Sequence, residues 1–388
     1  MARAIFVLFL ATGCKLLIGI EDPAATSDGG AIPANDEIDA PPDTPPDTPP
    51  DTLSCVTFST LLDTCTQAFG PALVIDGLNV YSTSTGVLVT PTGSVTPPHV
   101  IVNGVDVLIV ASFSLALGAR LRATGVRPFA IVAPGLITID GTLELTTFAA
   151  GTLPESACGL RQGRMGASDT GGGAGGGGGG YSGAGGKGSN GDADGGQSIA
   201  GGSGVSTARP TSLTGGCAGG DGGAGINPSG GGGAGGGAVL LASGTKVSVT
   251  GAVNAGGDPG QGGSVGGGGG GGGGSGGMII LEAPLVDVIG AVAANGGGGG
   301  EGADATAAGN PGGTGNASAF PASGGGGAVT TGADGATGST ASQLFGTNAS
   351  QILSGGGGGG GGGAGYIAIA CPAPAITGTV SPAYQTWP

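Results

Sequence analysis

Residues 129–145, 238–255, 278–295 and 366–380 repeat one pattern of apolar and polar positions. Each copy opens with a continuous apolar run, turns at a Gly or Pro, and resumes with alternation. In the first copy Ile137, Ile139 and Leu143 alternate with Thr138, Asp140 and Thr142. Val247, Val249 and Val253, then Val286, Val288 and Val292, repeat the alternation in the next two. A period of two with one apolar face marks a half-buried strand. A pivot glycine recurs at Gly141, Gly251, Gly290 and Gly378, and a weaker fifth copy over 107–121 pivots at Gly118. Gly118 and Gly141 lie 23 residues apart, about one solenoid coil. The later intervals of 110, 39 and 88 residues are coils enlarged by glycine-rich insertions. No single copy can bury its apolar face alone, so the copies must stack. The pattern predicts an all-β fold: a parallel β-solenoid, of right-handed β-helix type, with poly-glycine insertions. A β-sandwich built from the same units is the alternative.

Composition changes the picture in one place. The 388 residues include 98 Gly and 25 Pro without a three-residue period along the whole chain, which excludes collagen and taken alone points to disorder. The glycine is uneven, however: 84 of the 98 fall in residues 151–365. Runs at 231–237 (broken by Ala234), 266–274, 296–300 and 355–363 are too long for turns. Two readings compete. Floppy loops avoid the high entropic cost of ordering glycine. Polyglycine II rods would instead pack threefold extended helices backbone to backbone, if a rigid base held several runs side by side. The insertion between Ala303 and Ser350, richer in Ala, Thr, Ser and Asn, reads as plain loop.

The net charge of −15 argues against a nucleic-acid partner, which would need a basic face. Nine of the acids lie in residues 21–54, a stretch with no base. There PPDT occurs three times in succession from Pro41 to Thr52. Proline holds φ near the polyproline II value and like charges keep the segment extended, so twelve residues reach roughly 37 Å. Before this stalk, Arg3, an apolar run and the small residues preceding Cys14 have the layout of an export signal. Ala11-Thr12-Gly13-Cys14 is similar to a lipobox, in which the cysteine is acylated. A plain signal peptide is one alternative. The other is an uncleaved anchor over residues 4–20, which is short for a bilayer and would carry Lys15 inside it. The expected organisation is a signal over 1–14, a disordered acidic stalk over 15–54, a β-rich first part of the solenoid over 55–150, and a Gly-rich remainder over 151–388.

With Cys14 acylated, Cys55 and Cys65 would close a short loop and Cys158 would pair with Cys217 across the first glycine-rich insertion, leaving Cys371 over. Asn190, Asp192 and Asp194, followed by Gly195, match the first half of a calcium loop. The twelfth position is Gly201 instead of Glu, so a solvated acidic turn competes with a Ca²⁺ site, and no other cofactor is implied. Candidate catalytic groups are sparse. Asp140 and Asp287 point outward without charged neighbours, and His99 beside Pro97-Pro98 reads as a loop residue.

Taken together, Cys14, the PPDT stalk, the segment RPFAIVAPGLITIDGTLEL and the segment GGAVLLASGTKVSVTGAVNAGG resemble the Gly-rich surface lipoproteins of myxobacterial type. This likeness spans most of the chain. A second likeness, to the Gly-rich regions of PE-PGRS proteins, is compositional. The resemblance implies a place on the bacterial outer membrane or cell surface, and carries no assigned activity. The expected function is a non-enzymatic, lipid-anchored surface protein with a structural, adhesive or matrix-contact role. Its expected partners are the membrane, extracellular polysaccharide or neighbouring surface proteins. A carbohydrate-active enzyme or carbohydrate-binding module on the same scaffold is the alternative. Against it, Trp387 is terminal and Tyr181 stands isolated, whereas sugar platforms need exposed aromatics.

Overall fold

The computed structural model describes residues 57–146, 151–152, 158–192, 210–329, 331–350 and 354–387; the signal, the stalk, Cys14 and Cys55 lie outside these. The described chain is all-β. Its strands begin with β1 (Leu73–Ile75), β2 (Leu78–Ser82), β3 (Val87–Thr90), β4 (Gly93–Val95) and β5 (His99–Val102). Three-strand coils follow. They are β6 (Val105–Ile109), β7 (Phe113–Leu115) and β8 (Arg120–Thr124), then β9 (Phe129–Ala133), β10 (Ile137–Ile139) and β11 (Thr142–Glu144). The next two are β12 (Ala238–Ser243), β13 (Lys246–Val249) and β14 (Ala252–Asn254), then β15 (Met278–Glu282), β16 (Leu285–Val288) and β17 (Ala291–Ala293). The last is β18 (Tyr366–Ala370), β19 (Ala375–Ile376) and β20 (Thr379–Ser381), with β21 (Gln385–Thr386) beyond it.

Equivalent strands of successive coils pair in parallel and build three sheets. The first runs β1-β7-β10-β13-β16-β19, the second β20-β17-β14-β11-β8-β2-β3-β4, and the third β21-β18-β15-β12-β9-β6-β5. Among the described residues antiparallel pairing is confined to the N-terminal end, in the pairs β2-β3, β3-β4 and β5-β6. The register stacks like on like. Phe113, Ile137, Val247 and Val286 form one buried ladder, and Leu121, Leu143, Val253 and Val292 another, ended by the half-buried Val380. The parallel, in-register coils are those of a β-solenoid, not of a sandwich.

The third sheet explains the continuous apolar runs. Its inner ladder Ile131-Leu241-Leu281-Ile369 faces the solenoid core, while Ala130, Leu240, Ile280 and Ala368 face a second apolar cluster outside. A sheet covered on both faces loses the polar alternation that a half-solvated sheet keeps. The pivot glycines form a ladder of their own between the first and second sheets. A methyl at Gly251 would stand 2.0 Å from the Gly141 carbonyl oxygen, and one at Gly290 1.9 Å from that of Gly251. Gly118 is not the foot of this ladder. Thr142 pairs with Arg120, which puts Ala119 under Gly141, and Gly118 instead takes a turn at φ +78°.

Each glycine-rich excursion leaves the second sheet and returns into the third, after β11, β14 and β17. The glycine tracts are packed rods. Along the tract that enters β15, the amides of Gly269, Gly272 and Ser275 donate to the carbonyls of Gly223, Gly220 and Cys217. Those of Gly270, Gly273 and Gly276 donate to Gly357, Gly360 and Gly363, and those of Gly268, Gly271, Gly274 and Gly277 to Ser264, Gln261, Asp258 and Ala255. Three directions repeating every third residue define a threefold extended helix. Its carbonyls accept from three more segments, through Gly173–Gly179, Gly230–Gly236 and Gly297–Ala303, so six rods surround it. The tracts around 296–302 and 356–365 are likewise ringed by six segments, and these three central rods adjoin one another. Glycines 268–277 take no positive φ. Glycine is needed there for close approach alone: a methyl at Gly272 would lie 2.0 Å from the Gly177 carbonyl oxygen.

Glycine density therefore follows the number of neighbours. Central rods are nearly all glycine. The peripheral rod at 230–237 tolerates Ala234 on a half-exposed side, and the rod at 215–225 places Ala218, Asp221 and Ala224 at every third position, half-buried or exposed. The insertion between Ala303 and Ser350 is not plain loop. Gly309, Gly312 and Gly315 donate to Gly263, Gly260 and Gly257, and Ala333, Ala336 and Ser339 donate to Gly356, Gly359 and Gly362. These outer rods touch the bundle on fewer sides, so one glycine in three suffices. The buried Glu301 carboxylate accepts backbone N–H groups from Asn310, Ala328 and Val329 and so ties this insertion together.

Candidate functional site

The outer face of the third sheet carries a cleft and, beside it, a buried acidic side chain. A cleft of about 410 Å³ lies over Leu240 and Ile280. The segment with Thr60 and Leu61, the strand position Val105 and its neighbour Asn103 form part of its wall. Residues 211–214 and Trp387 contribute too, as do Val126, Pro128, Gly151 and Thr152. The 211–214 segment is held by Tyr181, whose hydroxyl lies 2.9 Å from Thr214 Oγ1, and the Tyr181 ring stacks under the Arg161 guanidinium. Tyr181 is thus a buried strut, and Trp387 is part of a wall.

Beneath that wall Glu282 is 3% exposed on a sheet face otherwise made of Leu240, Ala242, Ile280 and Ala368. The Thr60 amide donates to Glu282 Oε2 at 3.0 Å and the Thr60 hydroxyl donates to Oε1. Trp387 Nε1 in turn donates to Thr60 Oγ1 at 3.2 Å. Burial pushes the Glu282 carboxyl above its ordinary range, and the hydrogen bonds from Thr60 oppose that shift. Thr60 thereby joins Glu282, 222 residues away in sequence, to Trp387, 327 residues away.

A second polar group sits at the N-terminal end of the solenoid. Asp106 is fully buried; Tyr81 donates to its Oδ2 at 3.0 Å, and His99 Nδ1 lies 2.8 Å from its Oδ1. Burial, reinforced by the Asp106 charge, raises the Tyr81 phenol far above its usual range, so it remains a donor. His99 is on strand β5, not in a loop, because residues 99–102 pair antiparallel with β6, His99 opposite Leu108. Its ring also packs on Gly86, where a methyl would stand 2.2 Å from it.

The other sequence-selected residues are dispersed. A disulfide joins Cys158 to Cys217, closing the first excursion at its root. Cys65 is disulfide-bonded, while Cys55, its expected partner, lies outside the described residues. Cys371 is half-buried and keeps its thiol, which donates to the Pro284 carbonyl. Asn190 and Asp192 fall on the rod at 183–192, with the Asp192 carboxylate filling the space a Gly171 side chain would need; Asp194 lies outside the described residues. Asp287 does have a charged neighbour: Lys246, one coil below, forms an ion pair with it across the first sheet. Asp140 accepts from the Thr250 hydroxyl.

Thr60, Glu282 and the cleft leave no pattern in the sequence. Glu282 ends an apolar strand where alternation gives no warning, and the walls meet only when distant segments fold over one sheet. No family model, curated protein or solved structure matches the chain.

Proposed function

We propose that the chain is an exported, lipid-anchored protein of the bacterial cell surface with a non-enzymatic structural, adhesive or matrix-contact role. The observation that carries this reading is the interlocked glycine bundle grafted on the solenoid. Its backbone groups are spent on one another and its central rods are nearly without side chains, while its outer positions are mostly small or polar, with Met165, Ile226, Phe320 and Phe345 as exposed apolar exceptions. Such a body is stiff, and its surface shape is set by rods rather than by mobile side chains. The lipobox-like sequence ending in Cys14 and the acidic stalk would attach it to a membrane and hold it clear of the lipid.

Fractionation and labelling test the reading. In a Gram-negative host the wild-type chain should incorporate a palmitate analogue, partition with the outer membrane and be shed from intact cells by protease cleavage in the stalk. Cys14→Ser should abolish the label and release the body into soluble fractions. A label that persists in Cys14→Ser, or a wild-type chain retained in the cytoplasm, overturns it. The alternative of a carbohydrate-binding module is favoured by the Trp387 cleft, which need not conflict with a surface role.

A further inference from the structure

Trp387 is the only tryptophan in the chain, and its setting is built. We infer that the cleft over the third sheet binds one neutral sugar unit of an extracellular polysaccharide, with Trp387 as the aromatic wall and hydroxyl and amide side chains as its hydrogen-bonding rim. This rests on the matrix-contact reading above and specifies its ligand class.

Three observations support it. The first is the chemistry of the lining. Asn103, Thr152, Thr211, Ser212 and Thr214 supply groups that both donate and accept, Thr60 keeps one acceptor lone pair beyond its bonds to Glu282 and Trp387, and among the described residues no lining side chain carries a charge. Leu240 and Ile280 provide an apolar floor. A pyranose ring presents the matching combination, a C–H face bordered by hydroxyls. Among the described lining residues an anion would find no counter-charge, and an acyl chain would leave the rim groups without partners.

The second observation is the brace. A carboxylate on an otherwise apolar sheet face is unfavourable unless it is hydrogen-bonded, and Glu282 takes two hydrogen bonds from Thr60. Thr60 Oγ1 then receives the Trp387 N–H, while the Trp387 amide donates to the Ile369 carbonyl at 3.2 Å. Both ends of the indole residue are held before any ligand arrives, which lowers the ordering cost of binding. Thr60 is therefore a positioning residue as well as part of the rim. The third is size: about 410 Å³ lies in the range of roughly 300–1,000 Å³ usual for small-molecule clefts.

Because Trp387 is unique, its fluorescence reports directly from the site. The full chain in detergent is titrated with glucose, N-acetylglucosamine and cellobiose, with glucuronate and decanoate as charged and acyl comparisons. The expected result is a saturable change with at least one neutral sugar at about millimolar concentration, and none with glucuronate or decanoate. Val126→Arg, at a rim position 77% exposed, should abolish the response without disturbing the fold. Thr60→Val should weaken binding about tenfold, the equivalent of one well-placed hydrogen bond, and Thr60→Ser should restore it. No saturable response to any neutral sugar up to about 100 mM in protein with a native β spectrum overturns the inference. So does a response unchanged in Val126→Arg, or one given by decanoate alone. Sugar binding without Cys14 acylation would remove only the anchor reading; acylation and surface display without sugar binding would remove only this site.

Discussion

Alanine at Gly270 and at Gly231 should shift stability in opposite directions. Both glycines lie outside the positive-φ region, so on chain entropy alone either substitution should stabilise by about 0.4–1 kcal/mol. Packing separates them. A Cβ at Gly270 would stand 2.1 Å from the Gly300 carbonyl oxygen and 2.6 Å from its carbon. The two rods would have to part by about 1.3 Å to restore ordinary contact. That movement weakens Gly270 N–H to Gly357 and Gly300 N–H to Gly271, both 2.8 Å, at about 1 kcal/mol each. Overpacking adds about 1–3 kcal/mol. With the entropy gain subtracted, Gly270→Ala should cost about 2–4 kcal/mol. At Gly231 the nearest atom to a Cβ is Asp221 Oδ1 at 3.8 Å, so Gly231→Ala should keep its small gain. Guanidinium unfolding of the two variants beside the parent measures both. Equal effects, or stabilisation at both sites, would refute the claim that the rods pack backbone to backbone.

Two further outcomes follow from the same geometry. Cys158 and Cys217 close a loop with a sequence separation of 59, so replacing both with Ala should lower stability by about 2–4 kcal/mol, read as a fall in the unfolding midpoint of the variant beside the parent under non-reducing conditions. The raised Glu282 pKa means the folded state holds that proton more tightly than the unfolded chain. Its contribution is therefore fully present below the ordinary glutamate value, about 4.3, and declines as pH rises toward the folded value. Glu282→Gln should flatten that decline in urea midpoints between pH 4 and 7; an unchanged slope would contradict it.

How far the sequence could be read depended on which atoms hold each part together. The solenoid was legible because side chains hold it. Ile137, Val247 and Val286 alternate with polar residues, and the same alternation becomes a ladder. Continuous runs such as Phe129–Ala133 were legible as strands, though not as strands covered on both faces, because the outer cover comes from Leu62, Tyr181 and Leu213, elsewhere in the chain. The bundle was undecided because backbone atoms hold it, and a run of glycine carries no side-chain signal of order or disorder. A weaker signal was present. Gly332, Gly335 and Gly338, and the non-glycines Ala218, Asp221 and Ala224, keep a period of three that a floppy loop has no reason to keep. Assigning the pivot to Gly118 failed by one residue because glycine marks both a positive-φ turn and a close approach, and only register distinguishes them. The cleft was illegible, since Thr60, Leu213, Ile280 and Trp387 share no local pattern.

Amide hydrogen exchange on peptides covering 268–277 tests the central claim most directly. The amides of this tract are all donated to neighbouring rods, so they should be protected to the degree of strand peptides covering Val239–Leu241 and Ile279–Leu281. Exchange of the tract at the random-chain rate while those strands stay protected would contradict the account.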